Sequence, residues 1–379
     1  MMQRLIKFFL ILILALSTGC SNLNKATDLI TKPSAKERYQ RNFEISDELF
    51  QIWENQEQLA INDSVKIELP YLIAGHFKPR SFHIFSYNLN LKVGEKLDVA
   101  VETDTLPSMV FIELYHRQND SLSTYEKVAN SDYDSYTLSL EIEQSGTFKV
   151  IIQPEIEAST PFRIKIKTTP VYRFPVAGGR NSNIQSFWGA TRDGGKRNHE
   201  GVDIFAPRGT PVIAVTDGQI SSAGVKGLGG KQVWLRDQKR RQSLYYAHLD
   251  SIATLGNSHV ETGDTLGFVG NTGNARTTAP HLHFGIYKGY RGAIDPLHFV
   301  FQLDDPNFEP AGKIPETLNL VTKSTANLRD QPTTRNSQII GNISAQDTLQ
   351  FLGKSNEWYH IRTSENQAAF IHESLVLPL

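Results

Sequence analysis

Apolar positions along this chain fall into blocks with different spacing. An uninterrupted apolar run, Phe8–Leu16, follows the basic residues Arg4 and Lys7 and gives way to Ser17-Thr18-Gly19 before Cys20. A bilayer core takes about 20 apolar residues, so this shorter run reads as a secretory signal over residues 1–19 rather than a transmembrane helix. Residues 20–60 are polar with scattered aromatics (Tyr39, Phe43, Phe50, Trp53), which predicts a tether and a short helical segment that packs on the next domain. From 61 to 169 the pattern changes to short β-type runs: Ser81–Tyr87, Lys96–Val101, Val110–Tyr115, Tyr136–Ile142, Thr147–Ile152 and Phe162–Lys167. Turn residues such as Val93-Gly94-Glu95 and Gln144-Ser145-Gly146 divide them, which predicts an antiparallel β-sandwich. Residues 170–302 are Gly-rich and hold every dense cluster of reactive side chains. Pro306, Pro310 and Pro315 mark 303–317 as a linker, and short strands resume over 318–379. The expected fold class is mainly β and multidomain.

Charge and cysteine content narrow the function. Lys and Arg number 39 against 40 Asp and Glu, and no segment is dominated by basic residues, which argues against nucleic acid as a partner. Cys20 is the sole cysteine, so an intramolecular disulfide and a cysteine-built structural zinc site are both excluded. His76, His83 and His116 lie among the sandwich strands without metal-ligand company and read as surface or packing residues.

The chemistry concentrates in 170–302. In Asn198-His199-Glu200-Gly201-Val202-Asp203 a histidine and an aspartate stand four apart; Gly201 and the β-branched residues favour a loop entering a strand, where both side chains can address one ion. Glu200 then points away from both and is not assigned a role. In Ala279-Pro280-His281-Leu282-His283 two histidines two apart project from one face of a strand, with Leu282 on the other. Two imidazoles and a carboxylate with an open fourth position make a catalytic zinc site, in which bound water is acidified toward neutrality. The remaining histidine of the pair and His248, in Tyr245-Tyr246-Ala247-His248-Leu249, are candidate acid–base helpers.

The ordered set His199-x-x-x-Asp203, Ala206-Pro-Arg-Gly-Thr-Pro-Val, Ala214-x-x-Asp217-Gly218, Tyr246-Ala247-His248, Gly263-Asp264, Gly267-x-Val-Gly270-x-Thr272-Gly273 and His281-x-His283 resembles the lysostaphin and LytM-type zinc metallopeptidases. The resemblance implies an antiparallel β-sheet core with a groove over it, and one zinc ion (Zn2+) per chain. It makes His199, Asp203 and His283 the metal ligands and His248 and His281 the catalytic pair that orients or deprotonates water and stabilises the tetrahedral intermediate. It implies hydrolysis of peptide bonds in peptidoglycan stem peptides and cross-bridges. The segments Trp188–Arg197 and Ser221–Lys231 are expected to form walls of the groove; their glycines suit either approach of a peptide backbone or tight turns.

Ala326-Asn-Leu-Arg-Asp-Gln-Pro, Glu357-Trp358-Tyr359-His360-Ile361-Arg362 and Ala369-Phe370-Ile371-His372 are similar to the bacterial SH3-like domain. That resemblance implies a small barrel that binds wall peptide or glycan, or one that packs structurally on the peptidase; Trp358 and Tyr359 suit a ligand platform or a barrel core. Gly19-Cys20 after the apolar run resembles the bacterial lipobox, which implies lipid attachment at Cys20 and a cell-envelope location through an N-terminal membrane anchor. Ser145–Ile152 is similar to a late strand of jelly-roll modules. The rival function is a LytM-type regulator or wall-binding activator of other hydrolases. Such regulators lose zinc ligands, and here His199, Asp203, His248, His281 and His283 are all present.

Overall fold

The computed structural model describes residues 33–104, 109–118, 124–303 and 313–379, and these are mainly β. The signal segment, Cys20 and most of the linker lie outside the described residues.

The helical segment comprises two helices. Ala35–Asn42 begins on a Ser34–Glu37 capping box, and Asp47–Ala60 begins on Ser46, whose hydroxyl accepts from Leu49 N. Each cap satisfies backbone donors that the first turn would otherwise leave orphaned. Phe50, Trp53, Glu57 and Ala60 recur on one helical face and are buried. Trp53 packs edge-on to Phe111, and its Nε1 donates to Pro154 O at 2.9 Å. The buried Lys36 ammonium is paired with Glu57 (2.5 Å) and Glu113 (3.0 Å). Both helices therefore belong to the sandwich and cover its outer face.

One sandwich sheet runs in the order Phe85–Leu91, Gly146–Pro154, Val110–Arg117, Tyr125–Asn130. The other contains Tyr71–Phe77, Thr160–Pro170, Glu95–Thr103 and Thr137–Glu141. Alternate residues such as Tyr87, Leu89, Val150, Ile152, Val99 and Ile164 fill the space between them. The run Ser81–Tyr87 becomes strand only from Phe85, because Phe82, at φ +51°, takes the backbone out of the extended region just before it. Tyr71–Phe77 and Tyr125–Asn130 are strands additional to the expected set. The first is buried at almost every position and so shows no period of two.

The C-terminal strands, Asn319–Thr322 through Val376–Pro378, enclose a core of their own, as an SH3-like unit does, and also join the second sandwich sheet. Ala74 pairs with Lys354 across the two units, and Leu352, Ala368 and Phe370 join the sandwich core. Lys66 N donates to Asp330 O at 2.7 Å, and Tyr87 OH meets His360 Nδ1 at 3.0 Å. Arg362 Nη2 lies 2.8 Å from Asp63 Oδ2, with both side chains about 6% exposed. Trp358 packs against the sandwich core, while Tyr359 packs edge-on to Phe351 inside the C-terminal unit. Tyr359 is thus part of the barrel core, while Trp358 is half-buried at the junction.

The glycine-rich region forms a sheet ordered His259–Val260, Gly218–Lys226, Gly230–Asp237, Gln242–Leu249, His281–Tyr287, Val202–Phe205, Ile184–Ser186. One face buries Val202, Ile204, Val233, Leu235, Leu244, Tyr246, Leu282 and Phe284. The opposite face is left for a cleft.

Candidate active site

Strand register brings the expected residues together. Val202–Phe205 and His281–Tyr287 are antiparallel neighbours with Asp203 opposite His283. Period two then sends Leu282 and Phe284 into the core and His281 and His283 to the cleft, as the spacing predicts. His199 lies just past the hairpin Thr191–Arg192/Arg197–Asn198; its backbone N donates to Ala190 O at 2.8 Å. Gly201 is required between the two ligand candidates. A Cβ there would sit 2.5 Å from Phe284 O and 2.8 Å from the His283 ring.

Parity alone puts His248 on the wrong face. It stands two residues from Tyr246, which is in the core, whereas Tyr245 lines the cleft. The ladder to the neighbouring strand shifts register between Lys231 and Val233, which pair with Leu249 and Tyr246, so the strand carrying His248 has an extra residue. His248 itself has φ +64°. This bulge turns the imidazole out of the core side and beside His281 and His283, with ring centroids at 5.2 and 5.9 Å.

Backbone carbonyls fix which nitrogens face inward. Nδ1 of His199 donates to Phe187 O, Nδ1 of His248 to Thr272 O and Nδ1 of His281 to Ala279 O, each at 2.9 Å. In the neutral imidazoles this leaves Nε2 as a lone pair. His199 Nε2, Asp203 Oδ1 and His283 Nδ1 lie 3.0 Å from one another. The carboxylate oxygen only accepts and His199 already carries its proton on Nδ1, so at most one proton serves three converging atoms. That donor set fits a cation with an open coordination position, and these are the three side chains able to hold a metal ion among the described residues. His281 Nε2 stands further off, 3.9 Å from Asp203 Oδ1, with its ring stacked on Phe205.

Burial raises the Asp203 carboxyl, but hydrogen bonds and charge from His199 and His283 outweigh it and hold the group well below the usual carboxylate range. Burial, then the neighbouring His283 and His281, lowers His248 to about 4, so its ring is a neutral base. Burial also lowers His283, against the pull of Asp203.

The cleft has a volume of about 620 Å³, with Arg192 and Arg197 on one wall and Leu228 and Gly229 on another. Both expected wall segments are thus present. Gly194 and Gly227, at φ +65° and +51° with open space around them, serve turns, whereas Gly230, at φ +63°, allows close approach of the Thr272–Gly273 backbone, where a Cβ would collide with Gly273 N. Glu200 makes no contact with the donor set and sits on the rim, accepting from Tyr287 OH at 3.2 Å. Sequence reasoning did not single out Arg192, whose Nη2 donates to Asp203 Oδ2 at 2.8 Å and Ser186 Oγ at 2.6 Å. No helical or strand period relates residues 192 and 203, so spacing carries no signal for this contact.

Residues 197–296 match the model of peptidase family M23, and residues 324–376 match the bacterial SH3 domain. L-Ala–D-Glu endopeptidase of Bacillus subtilis (strain 168) is 36% identical over 125 residues, which are 31% of this chain and 38% of that protein. DD-carboxypeptidase/endopeptidase Mpg of Neisseria meningitidis serogroup B is 44% identical over 88 residues, covering 23% of this chain and 20% of the relative. Lysostaphin of Staphylococcus staphylolyticus is 39% identical over 87 residues, covering 23% and 18%. The chain thus spans well under half the length of these relatives. Among solved structures, the catalytic domain of lysostaphin from Staphylococcus simulans is 33% identical, with 31% of this chain and 92% of that chain covered at a TM-score of 0.29. On these matches, the chain carries a peptidase family M23 domain over residues 197–296, followed by a bacterial SH3 domain over residues 324–376.

Proposed function

We propose that this protein is a zinc-dependent endopeptidase that hydrolyses peptide cross-links of bacterial peptidoglycan. The observation that carries the reading is the convergence of His199 Nε2, Asp203 Oδ1 and His283 Nδ1 within 3.0 Å, flanked by His248 and His281 with their Nδ1 protons spent on carbonyls. The relatives named as endopeptidases support the reaction class. His199, Asp203 and His283 would hold the zinc ion, which would supply Lewis-acid activation of a water and of the scissile carbonyl. His248, neutral at physiological pH, takes a proton at Nε2, while Thr272 O holds the other side of the ring in place. His281, oriented by Ala279 O and by stacking on Phe205, presents Nε2 to the same space beside the developing oxyanion, and the proton that His248 takes from the water passes to the departing amine. The basic and aromatic walls of the cleft position the peptide.

The SH3 domain and an envelope location complete the reading: we place the peptidase at a membrane facing the wall, anchored by acylation of Cys20. The decisive experiment digests defined muropeptides with the purified chain, with and without a chelator, and identifies fragments by mass. Release of fragments that is unaffected by chelation, or absent from a protein holding one zinc, refutes the proposal. Partition of the native protein into the aqueous phase of a detergent extraction would remove the anchor alone.

A further inference from the structure

We infer that Arg192 is a positioning residue that holds Asp203 to one-oxygen coordination of the metal; this rests on the reading of His199, Asp203 and His283 as ligands. The carboxylate of Asp203 is divided between two neighbourhoods. Its Oδ1 lies 3.0 Å from both His199 Nε2 and His283 Nδ1. Its Oδ2 accepts from Arg192 Nη2 at 2.8 Å, and the same nitrogen donates to Ser186 Oγ at 2.6 Å. The guanidinium is therefore anchored at both ends of a short chain, Ser186–Arg192–Asp203. Ser186 is also the strand partner of Asp203, so the anchor and the ligand share one ladder.

A carboxylate can bind a cation through one oxygen or through both. A charged donor on one oxygen lowers its availability and fixes the plane of the group, which leaves a coordination position open for water and substrate. Arginine suits this task because its charge does not titrate and its Nη2 carries two N–H donors, one for each acceptor. The fold reinforces the bond: Arg192 is held in a two-residue hairpin by pairing with Arg197, and this hairpin leads directly into His199. With the side chain 30% exposed at the cleft wall, the pair is shielded from solvent on the Asp203 side, where exposure is 11%.

The test uses the full chain loaded with cobalt(II) in place of zinc, since the intensity of cobalt visible bands is high for four-coordinate and low for five-coordinate sites. Wild-type protein binding one cobalt, and His283→Ala binding none, checks the ligand reading by itself. Arg192→Ala is expected to retain one metal per chain while its cobalt bands weaken, as Asp203 swings to bind through both oxygens, with turnover falling about 10–100-fold. Ser186→Ala should move both readouts in the same direction by less, and Arg192→Lys should restore most of each. Unchanged cobalt bands in Arg192→Ala, with or without a loss of turnover, overturn the inference. Metal loss in Arg192→Ala that Arg192→Lys does not recover also overturns it, because the hairpin rather than the bond to Asp203 would then be holding the site.

Discussion

Asp63→Ala tests whether the C-terminal SH3 domain is fixed to the N-terminal sandwich or merely tethered to it. In the folded protein Asp63 accepts from Arg362 Nη2 at 2.8 Å and from Ser86 Oγ at 2.6 Å, with the ion pair about 6% exposed on both sides. Removing the carboxylate leaves the buried guanidinium with Asn366 O, 2.8 Å from Nη1, as its acceptor. Breaking one side of a buried ion pair typically costs about 3–5 kcal/mol, because the remaining charge keeps its desolvation penalty without its partner. Leu352, Ala368 and Phe370 belong to the sandwich core, so this cost falls on a cooperative unit that includes both modules. For a unit of roughly 200 residues the midpoint should drop by about 6–20 °C. Calorimetry with a urea titration measures it, and the double variant Asp63→Ala/Arg362→Met should recover most of the loss, since an apolar replacement removes the stranded charge. A loss below about 1 kcal/mol, or an SH3 domain that melts separately at an unchanged temperature, would refute the argument.

Other outcomes rest on the geometry of the cleft and of the module junction. His283→Ala leaves two protein ligands, so zinc measured by mass spectrometry should fall well below one per chain while the far-ultraviolet spectrum stays β-type. His248→Ala and His281→Ala should keep zinc near one per chain and lower turnover about 10²–10⁴-fold; loss of zinc from His281→Ala equal to that from His283→Ala would make the pair a joint clamp. His83, buried and beside the Arg362 charge, is lowered to about 4, and burial drives His360 well below its ordinary value. Both rings fold in the neutral form, so their contribution is present above about pH 6.5 and is lost as pH falls toward 4; for His83 alone the loss by pH 5 is about 2 kcal/mol. Arg362, itself paired with Asp63, faces both rings and Tyr87 OH meets His360; a urea midpoint that did not fall between pH 7 and pH 5 would exclude this pair as a source, and an equal fall in His83→Leu would exclude His83.

Legibility in the sequence tracked periodicity. Glu95–Thr103 alternates and was readable, as was the parity of His281, Leu282 and His283; Gly146–Pro154, buried without alternation from Phe148 onward, was legible instead from its β-branched run after the turn Gln144-Ser145-Gly146. Tyr71–Phe77 was not, because a strand paired on one edge with a distant module and covered on both faces has one polar side chain, His76, and no alternation to mark its period. The same cause hid the union of the sandwich with the SH3 domain. Trp358, His360 and Arg362 alternate with Tyr359 and Ile361, so their spacing assigns them one face of a strand. Spacing does not identify the partner, Asp63, which is 299 residues away.

At the active site the limit was conformational rather than periodic. His199, Asp203, His281 and His283 reach the cleft through ordinary strand and loop geometry, but His248 does so only by adopting a positive φ at a bulge. A non-glycine residue in that region costs about 1–3 kcal/mol and persists where the surroundings over-determine it. Here they do. His248 Nδ1 is bound to Thr272 O, Thr272 N lies 3.3 Å from His248 O, and Thr272 Oγ1 donates to Leu249 O and accepts from Lys231 N, both at 2.9 Å. Thr272 thus holds both strands of the bulge as well as the ring. The strain at His248 is offset by a residue that a motif reading treats only as part of a glycine-rich turn, and the fold uses that turn to set the direction of the base.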